Sequence, residues 1–323
     1  MTTQADTVEE GGFGLLDEIH LLRFIEAGAT NDYYHGILAL PASRYRAAWG
    51  FGGVAYIGGW AGLTLSHYAG VYRGDGPFGS TLAHELGHNL SLRHAPGCGA
   101  GGPDPDYPYT DAYTGVWGVD FSTGGDFGRL INPARYRDFM SYCDPPWASD
   151  FSFTKALEYR MGLPPAPTAA AAGTAVEKTL LLWGRVQDGE LRLEPVFEWD
   201  TPVKLPTAPG PYRLEGIDTA GGRMFSLSFT PDRIDHGGAG FLFAVPVEEG
   251  RADELARVTL SGPEGITALD RDGGRGGAIV TSRSTGRILS IVRDWSRVRP
   301  ESLGTAAEVS VSRSVLVREV RER

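Results

Sequence analysis

The apolar positions of this chain change period along its length, and the changes mark out its elements. Over residues 15–25 apolar side chains recur at helical spacing and stop at Ala27-Gly28, which predicts a helix. Residues 33–40 read as a strand ending at Pro41, and residues 52–60 as a short apolar strand bracketed by glycines. Helical spacing returns at Thr81 and breaks near Ser91. Glycine, proline, aspartate and tyrosine then dominate to Asp126, with short strands expected over 115–121 and 127–131. Residues 152–161 read as a helix capped by Ser152 and ended by Gly162 and Pro164.

Residues 163–176 form a Pro/Ala-rich linker by composition. Beyond it the pattern turns to short alternating segments separated by turn residues: 179–186, 190–197, 210–218, 224–229, 241–247, 257–261, 278–282, 286–292 and 308–317. Strands at this spacing predict a β-sandwich. The expected organisation is α+β: a flexible tail over 1–12, a mixed domain over 13–162, the linker, and an all-β sandwich over 177–323.

At 323 residues the chain is long enough for two domains with substantial cores. It has no apolar run of the roughly 18 residues that a membrane span requires. Its polar, acidic first ten residues lack the apolar core of a signal peptide, so either a signal has been removed or export takes another route. A formal net charge of −10 argues against nucleic acid or an anionic membrane as partner.

The chemistry concentrates in Thr81-Leu-Ala-His-Glu-Leu-Gly-His-Asn-Leu-Ser-Leu-Arg-His94. His84 and His88, four apart on a helix, share a face and can grip one metal ion. Glu85 is rotated away from that face, where its carboxylate can act as base toward a water at the site. His94 is out of helical phase and reaches the same ion only if the chain turns back near Ser91. Three imidazoles with one open position make a catalytic zinc arrangement and not a closed structural one. The competing reading, an amphipathic helix with two polar residues, loses ground to the third histidine. His20, His35 and His67 read as structural or exposed residues, and His236, the one histidine of the C-terminal segment, belongs to no cluster that reads as a second active site.

With Asp138-Phe-Met140-Ser-Tyr142-Cys143 downstream, the sequence resembles the metzincin metallopeptidases, whose signature is three histidines followed by a methionine turn. The Met140-x-Tyr142 form looks most like the astacin and serralysin branches. The resemblance implies a mixed twisted sheet with an active-site helix and a C-terminal helix. It implies Zn2+ on His84, His88 and His94, Glu85 as general base, Tyr142 near the oxyanion and Met140 packed beneath the metal. It also makes Gly53, Val54, Ala55, Tyr56 and Ile57 the rim of a substrate cleft and Trp147 a pocket wall, although a core role suits each of these as well. Ser91 departs from the family, which carries glycine there for a positive φ.

If that fold holds, Cys98 and Cys143 both lie beside the metal. A disulfide between them is the natural reading, and two buried thiols or two further ligands are the alternatives. A disulfide implies an oxidising, extracellular or periplasmic compartment. Asp104, Asp106, Asp111 and Asp120 offer carboxylates for Ca2+, without an EF-hand pattern. The expectation is a secreted zinc endopeptidase acting on protein or peptide substrates. The alternatives are a catalytically silent binding module and a zinc amide hydrolase acting on cell-wall peptides. The C-terminal domain is either a companion domain or a binder of a protein or glycan target.

Overall fold

The structure, a computed structural model, describes residues 8–28, 30–38, 52–66, 77–122, 128–163, 175–271, 276–297, 305 and 307–316. His67 and most of the 163–176 linker lie outside them. The chain divides into two compact units, and the division is discontinuous: residues 33–165 make one, while residues 1–32 and 166–323 together make the other.

The predicted N-terminal helix, α1, spans Val8–Ala27 and so begins inside the expected tail. It also falls in the second unit and not, as expected, in the histidine-bearing one. Its apolar Leu21 and Phe24 are buried among strands from the far end of the chain. Periodicity located this helix correctly, but periodicity says nothing about which strands a face will meet.

The unit over 33–165 therefore opens with a strand. β1 (Tyr34–Leu38) pairs parallel to β3 (Ala61–Leu65), and β2 (Gly53–Ala55) pairs antiparallel to β3, giving the order β1-β3-β2. The apolar stretch over 52–60 is thus shorter as a strand than its pattern implied. The chain turns after Tyr56 and returns as β3, all five residues of which are buried. Helix α2 (Pro77–Asn89) lies against β2 and β3. Asn89, fully buried, fixes it there by donating to the carbonyls of Tyr56 (2.9 Å) and Ala61 (3.0 Å). Two short ribbons follow, β4 (Gly118–Asp120) antiparallel to β5 (Arg129–Ile131) and β6 (Arg137–Asp138) parallel to β7 (Pro146–Trp147). Helix α3 (Asp150–Gly162) closes the unit; its cap is Ser149 rather than Ser152, the Ser149 hydroxyl accepting from the Ser152 amide at 3.0 Å.

The other unit is built on β8 (Val176–Gln187), whose run Leu180-Leu-Leu-Trp183 is buried throughout. With β9 (Glu190–Leu193), β10 (Phe197–Pro202), β13 (Asp232–Arg233) and β14 (Ala239–Pro246) it forms a five-stranded sheet. A second sheet runs β12 (Arg223–Phe229), β11 (Tyr212–Asp218), β15 (Leu255–Gly262), β16 (Gly265–Asp270). A third holds β17 (Ala278–Ser282) between β18 (Ile288–Val292) and β19 (Val309–Arg313).

Side-chain alternation on β8 assigns its two faces. Leu180 and Leu182 join Phe241 and Phe243 of β14, Leu214 of β11 and Val258 of β15 in one core. Leu181 and Trp183 join Leu242 and Ala244 of β14, Ile279 of β17, Ile291 of β18 and the α1 residues in another. The central sheet is covered on both faces, which is why β8 lacks the period-two alternation of a half-exposed strand. The 177–323 segment alone does not make this arrangement, since α1 supplies part of the second core.

A charged group is buried in the same unit. Arg185 of β8 lies 2.5 Å from Asp17 and 3.4 Å from Glu194. Arg293 lies within 3.8 Å of Asp17, Glu18 and Glu194 and donates to the Gly14 carbonyl at 2.6 Å. Burial pushes the Glu194 carboxyl above its ordinary range, against the pull of Arg293. Among the described residues no helix is long and apolar enough to cross a membrane.

Candidate metal centre

Helix α2 carries His84, Glu85 and His88, all buried. Its end is a Schellman turn: the Leu92 amide bonds to the Gly87 carbonyl (3.0 Å) and the Ser91 amide to the His88 carbonyl (2.8 Å). That geometry needs a positive φ at the residue after the cap, and Ser91 adopts it, with φ 66°. The chain thus takes the turn usual for glycine and pays the strain, and His94 swings back to the two helical histidines. A ring nitrogen from each of His84, His88 and His94 lies within 4.8 Å of the others.

Which nitrogens converge follows from their neighbours. Nδ1 of His84 contacts the Phe139 carbonyl at 2.8 Å, Nδ1 of His88 the Leu92 carbonyl at 2.9 Å, and Nδ1 of His94 the Gly101 carbonyl at 2.5 Å. A carbonyl can only accept, so each Nδ1 bears the proton and each neutral ring presents a bare Nε2. The Nε2 atoms of His84 and His88 are 3.2 Å apart. Two lone pairs that close repel unless a cation lies between them. Ligands about 2.05 Å from a tetrahedral ion are about 3.3 Å from one another. The donor set therefore fits zinc in number and kind, and the His84–His88 separation fits it in spacing, with each ring oriented from behind.

No pattern in the sequence could have named those three carbonyl acceptors, because any residue type supplies a backbone oxygen. Asp138 was more legible, as an aspartate two residues before a turn. Fully buried, it accepts from the amides of Met140 (2.8 Å) and Ser149 (2.9 Å) and so shapes the methionine turn. Met140 is fully buried with Leu92, Ala95 and Ala112. A Cβ on Gly87 would stand 2.4 Å from its sulfur, so helix and turn meet as closely as glycine permits. The Tyr142 hydroxyl lies 3.4 Å from His94 Nε2, and the residue is 40% exposed, leaving it reachable by a ligand. Tyr107, beside the turn, donates to the Tyr113 carbonyl at 2.9 Å; burial, with the Asp138 charge adding to it, drives its phenol well above the ordinary value.

Cys98 and Cys143 form a disulfide, with Cα atoms 5.3 Å apart. Gly53 of β2 lies against Glu85: a Cβ there would be 2.6 Å from the Glu85 Cγ and Oε1 and 2.7 Å from the Leu63 carbonyl. Val54, Ala55 and Tyr56 are buried, and Ile57 lies past the strand in the turn. Trp147 is tied to the methionine turn through its carbonyl, which accepts from the Phe139 amide at 2.9 Å. Its ring borders Gly118.

The calcium expectation does not stand. Asp104, Asp106, Asp111 and Asp120 form no metal-holding group among the described residues. Asp104 is paired with Lys155 at 2.5 Å, and Asp120 with Arg129 at 3.3 Å and the Ser122 amide at 2.9 Å. The Asp104 and Asp120 carboxylates are taken up by these ion pairs and turn contacts.

Residues 30–95 match the family described as Metallo-peptidase family M12B Reprolysin-like. The matched stretch begins three residues before the unit over 33–165 and ends just past His94. Neither the curated proteins nor the solved structures provide a match to the chain. The reprolysin-like match and the histidine cluster together support a zinc metallopeptidase.

Proposed function

We propose that the unit over 33–165 is a metzincin-like zinc endopeptidase, and that residues 166–323 with α1 form a sandwich-based companion to it. One observation carries the reading: three buried histidines, each with Nδ1 held by a backbone carbonyl, turn bare Nε2 atoms toward one point beside a buried glutamate on the same helix. Zinc bound there supplies a Lewis acid that acidifies water and polarises the scissile carbonyl. Glu85 takes the proton from the attacking water and delivers it to the leaving nitrogen. Tyr142 donates its hydroxyl to the oxygen on which negative charge develops. Met140 supports the histidines from below by packing.

The Met140-x-Tyr142 turn favours an astacin- or serralysin-like arrangement downstream of the reprolysin-like stretch. Substrates are proteins or peptides, as a protease family implies. Of the expected cleft residues, Gly53, Val54 and Ala55 are buried, which leaves Ile57 in the turn and Trp147, both partly exposed, to meet a bound peptide, with Trp147 bounding a side-chain pocket. The disulfide fits an extracellular protein.

Cleavage of an unfolded general substrate by the zinc-loaded protein, beside a Glu85→Ala variant that keeps its metal, tests this. The variant is expected to lose at least about 100-fold in rate. If neither protein cuts while both hold zinc, the endopeptidase reading fails and a binding role replaces it.

A further inference from the structure

The segment between His94 and Asp104 contains Gly97-Cys98-Gly99-Ala100-Gly101-Gly102. Glycine has the widest backbone freedom of any residue, so such a stretch does not hold a carbonyl in place unaided. Yet the Gly101 carbonyl is what orients His94. Two fasteners flank it, each three residues away. On one side Cys98 is bonded to Cys143. On the other, Asp104 is 5% exposed, and its carboxylate pairs at 2.5 Å with Lys155, on the first half of α3. The Asp104 amide donates to the His94 carbonyl at 2.7 Å, and its other carboxylate oxygen accepts from the Asp106 amide at 3.1 Å. The Asp104 backbone and carboxylate together bind the end of this loop to both the histidine and α3.

We propose that the Asp104–Lys155 pair is a positioning device for the third metal ligand, setting metal affinity by fixing the Gly101 carbonyl that holds His94. The proposal rests on the zinc reading of the site. Neither residue touches the metal or the reacting atoms. Lys155 acts through Asp104, Asp104 through the loop, and the loop through the proton on His94 Nδ1. The alternative is a plain surface ion pair, which would leave the metal indifferent to its loss.

The test uses the full chain, stripped of metal and titrated with zinc against a chromophoric chelator, with cobalt substituted in parallel for its absorption spectrum. Lys155→Met removes the charge and keeps the length and helix propensity of the side chain. It is expected to weaken zinc binding on the order of 10-fold and to alter the cobalt spectrum, while the unfolding midpoint of the metal-free protein stays near that of the wild type. Lys155→Arg is expected to recover most of the affinity. Unchanged affinity and spectrum in Lys155→Met overturn the proposal, as does a loss that follows the metal-free midpoint and is not recovered by arginine. A wild type that binds no zinc overturns both this inference and the protease reading. A wild type that binds zinc but cleaves nothing sinks the endopeptidase alone.

Discussion

Ser91 shows how a single residue can be at odds with its own conformation and still be where the site needs it. Its φ of 66° costs an L-residue roughly 1 kcal/mol or more relative to glycine. Ser91→Gly is therefore expected to raise stability by about 1 kcal/mol in denaturant unfolding while leaving metal binding intact; a loss of stability would mean the hydroxyl has a role the turn does not reveal. His35 on β1 offers a second test. Burial depresses its pKa to about 4, and its Nε2 lies 2.6 Å from the Thr64 hydroxyl. The unfolded chain, with a histidine pKa near 6.5, binds more protons between those two values. The stability that His35 contributes is thus complete above about pH 6.5 and is lost as pH falls toward about 4. Comparing unfolding midpoints at pH 7 and pH 4.5, the wild type is expected to drop further than His35→Gln. Equal drops would rule out this histidine as a source of the acid sensitivity.

At the scale of elements, what the sequence made legible and what it concealed follow from the range of the forces involved. The i, i+4 histidines are local to one helix, and so were readable from spacing. The strands 278–282, 223–229 and 212–218 were readable from alternation. β16 was missed because, as a largely exposed edge strand, it carries little apolar pattern. The place of α1 was unreadable for a different cause: its partners Trp183, Leu242 and Ile291 lie more than a hundred residues downstream. The same is true of Asp17 and Glu18, which look like an ordinary solvated face until Arg185 and Arg293 are brought beside them. Asp17→Ala leaves Arg185 with less compensation in a buried setting and is expected to cost about 3 to 5 kcal/mol. Denaturant unfolding followed through a probe in the β-rich unit measures this, and a change under 1 kcal/mol would show that the charges relax or hydrate without loss.

For the whole molecule, the decisive fact is that residues 1–32 and 166–323 make a single unit with the histidine-bearing segment inserted between them. A protease site engineered into the 164–174 stretch and then cut is therefore expected to yield two fragments under denaturing conditions but one species on native size exclusion. Leu21, Phe24, Asp17 and Glu18 continue to hold α1 to its partners. Fragments that separate would mean that α1 is only loosely docked. The insertion also sets an order in time. Synthesis proceeds at about 5–20 residues per second, so α1 emerges on the order of 10 to 40 seconds before β14 is finished. The inserted unit is complete in the meantime and free to build its histidine site, while the helix preceding it waits with Leu21 and Phe24 uncovered. During that interval the chain carries a completed cluster of histidines and, in its first helix, an apolar face still uncovered, and the strands that hide that face are made only from β8 onward.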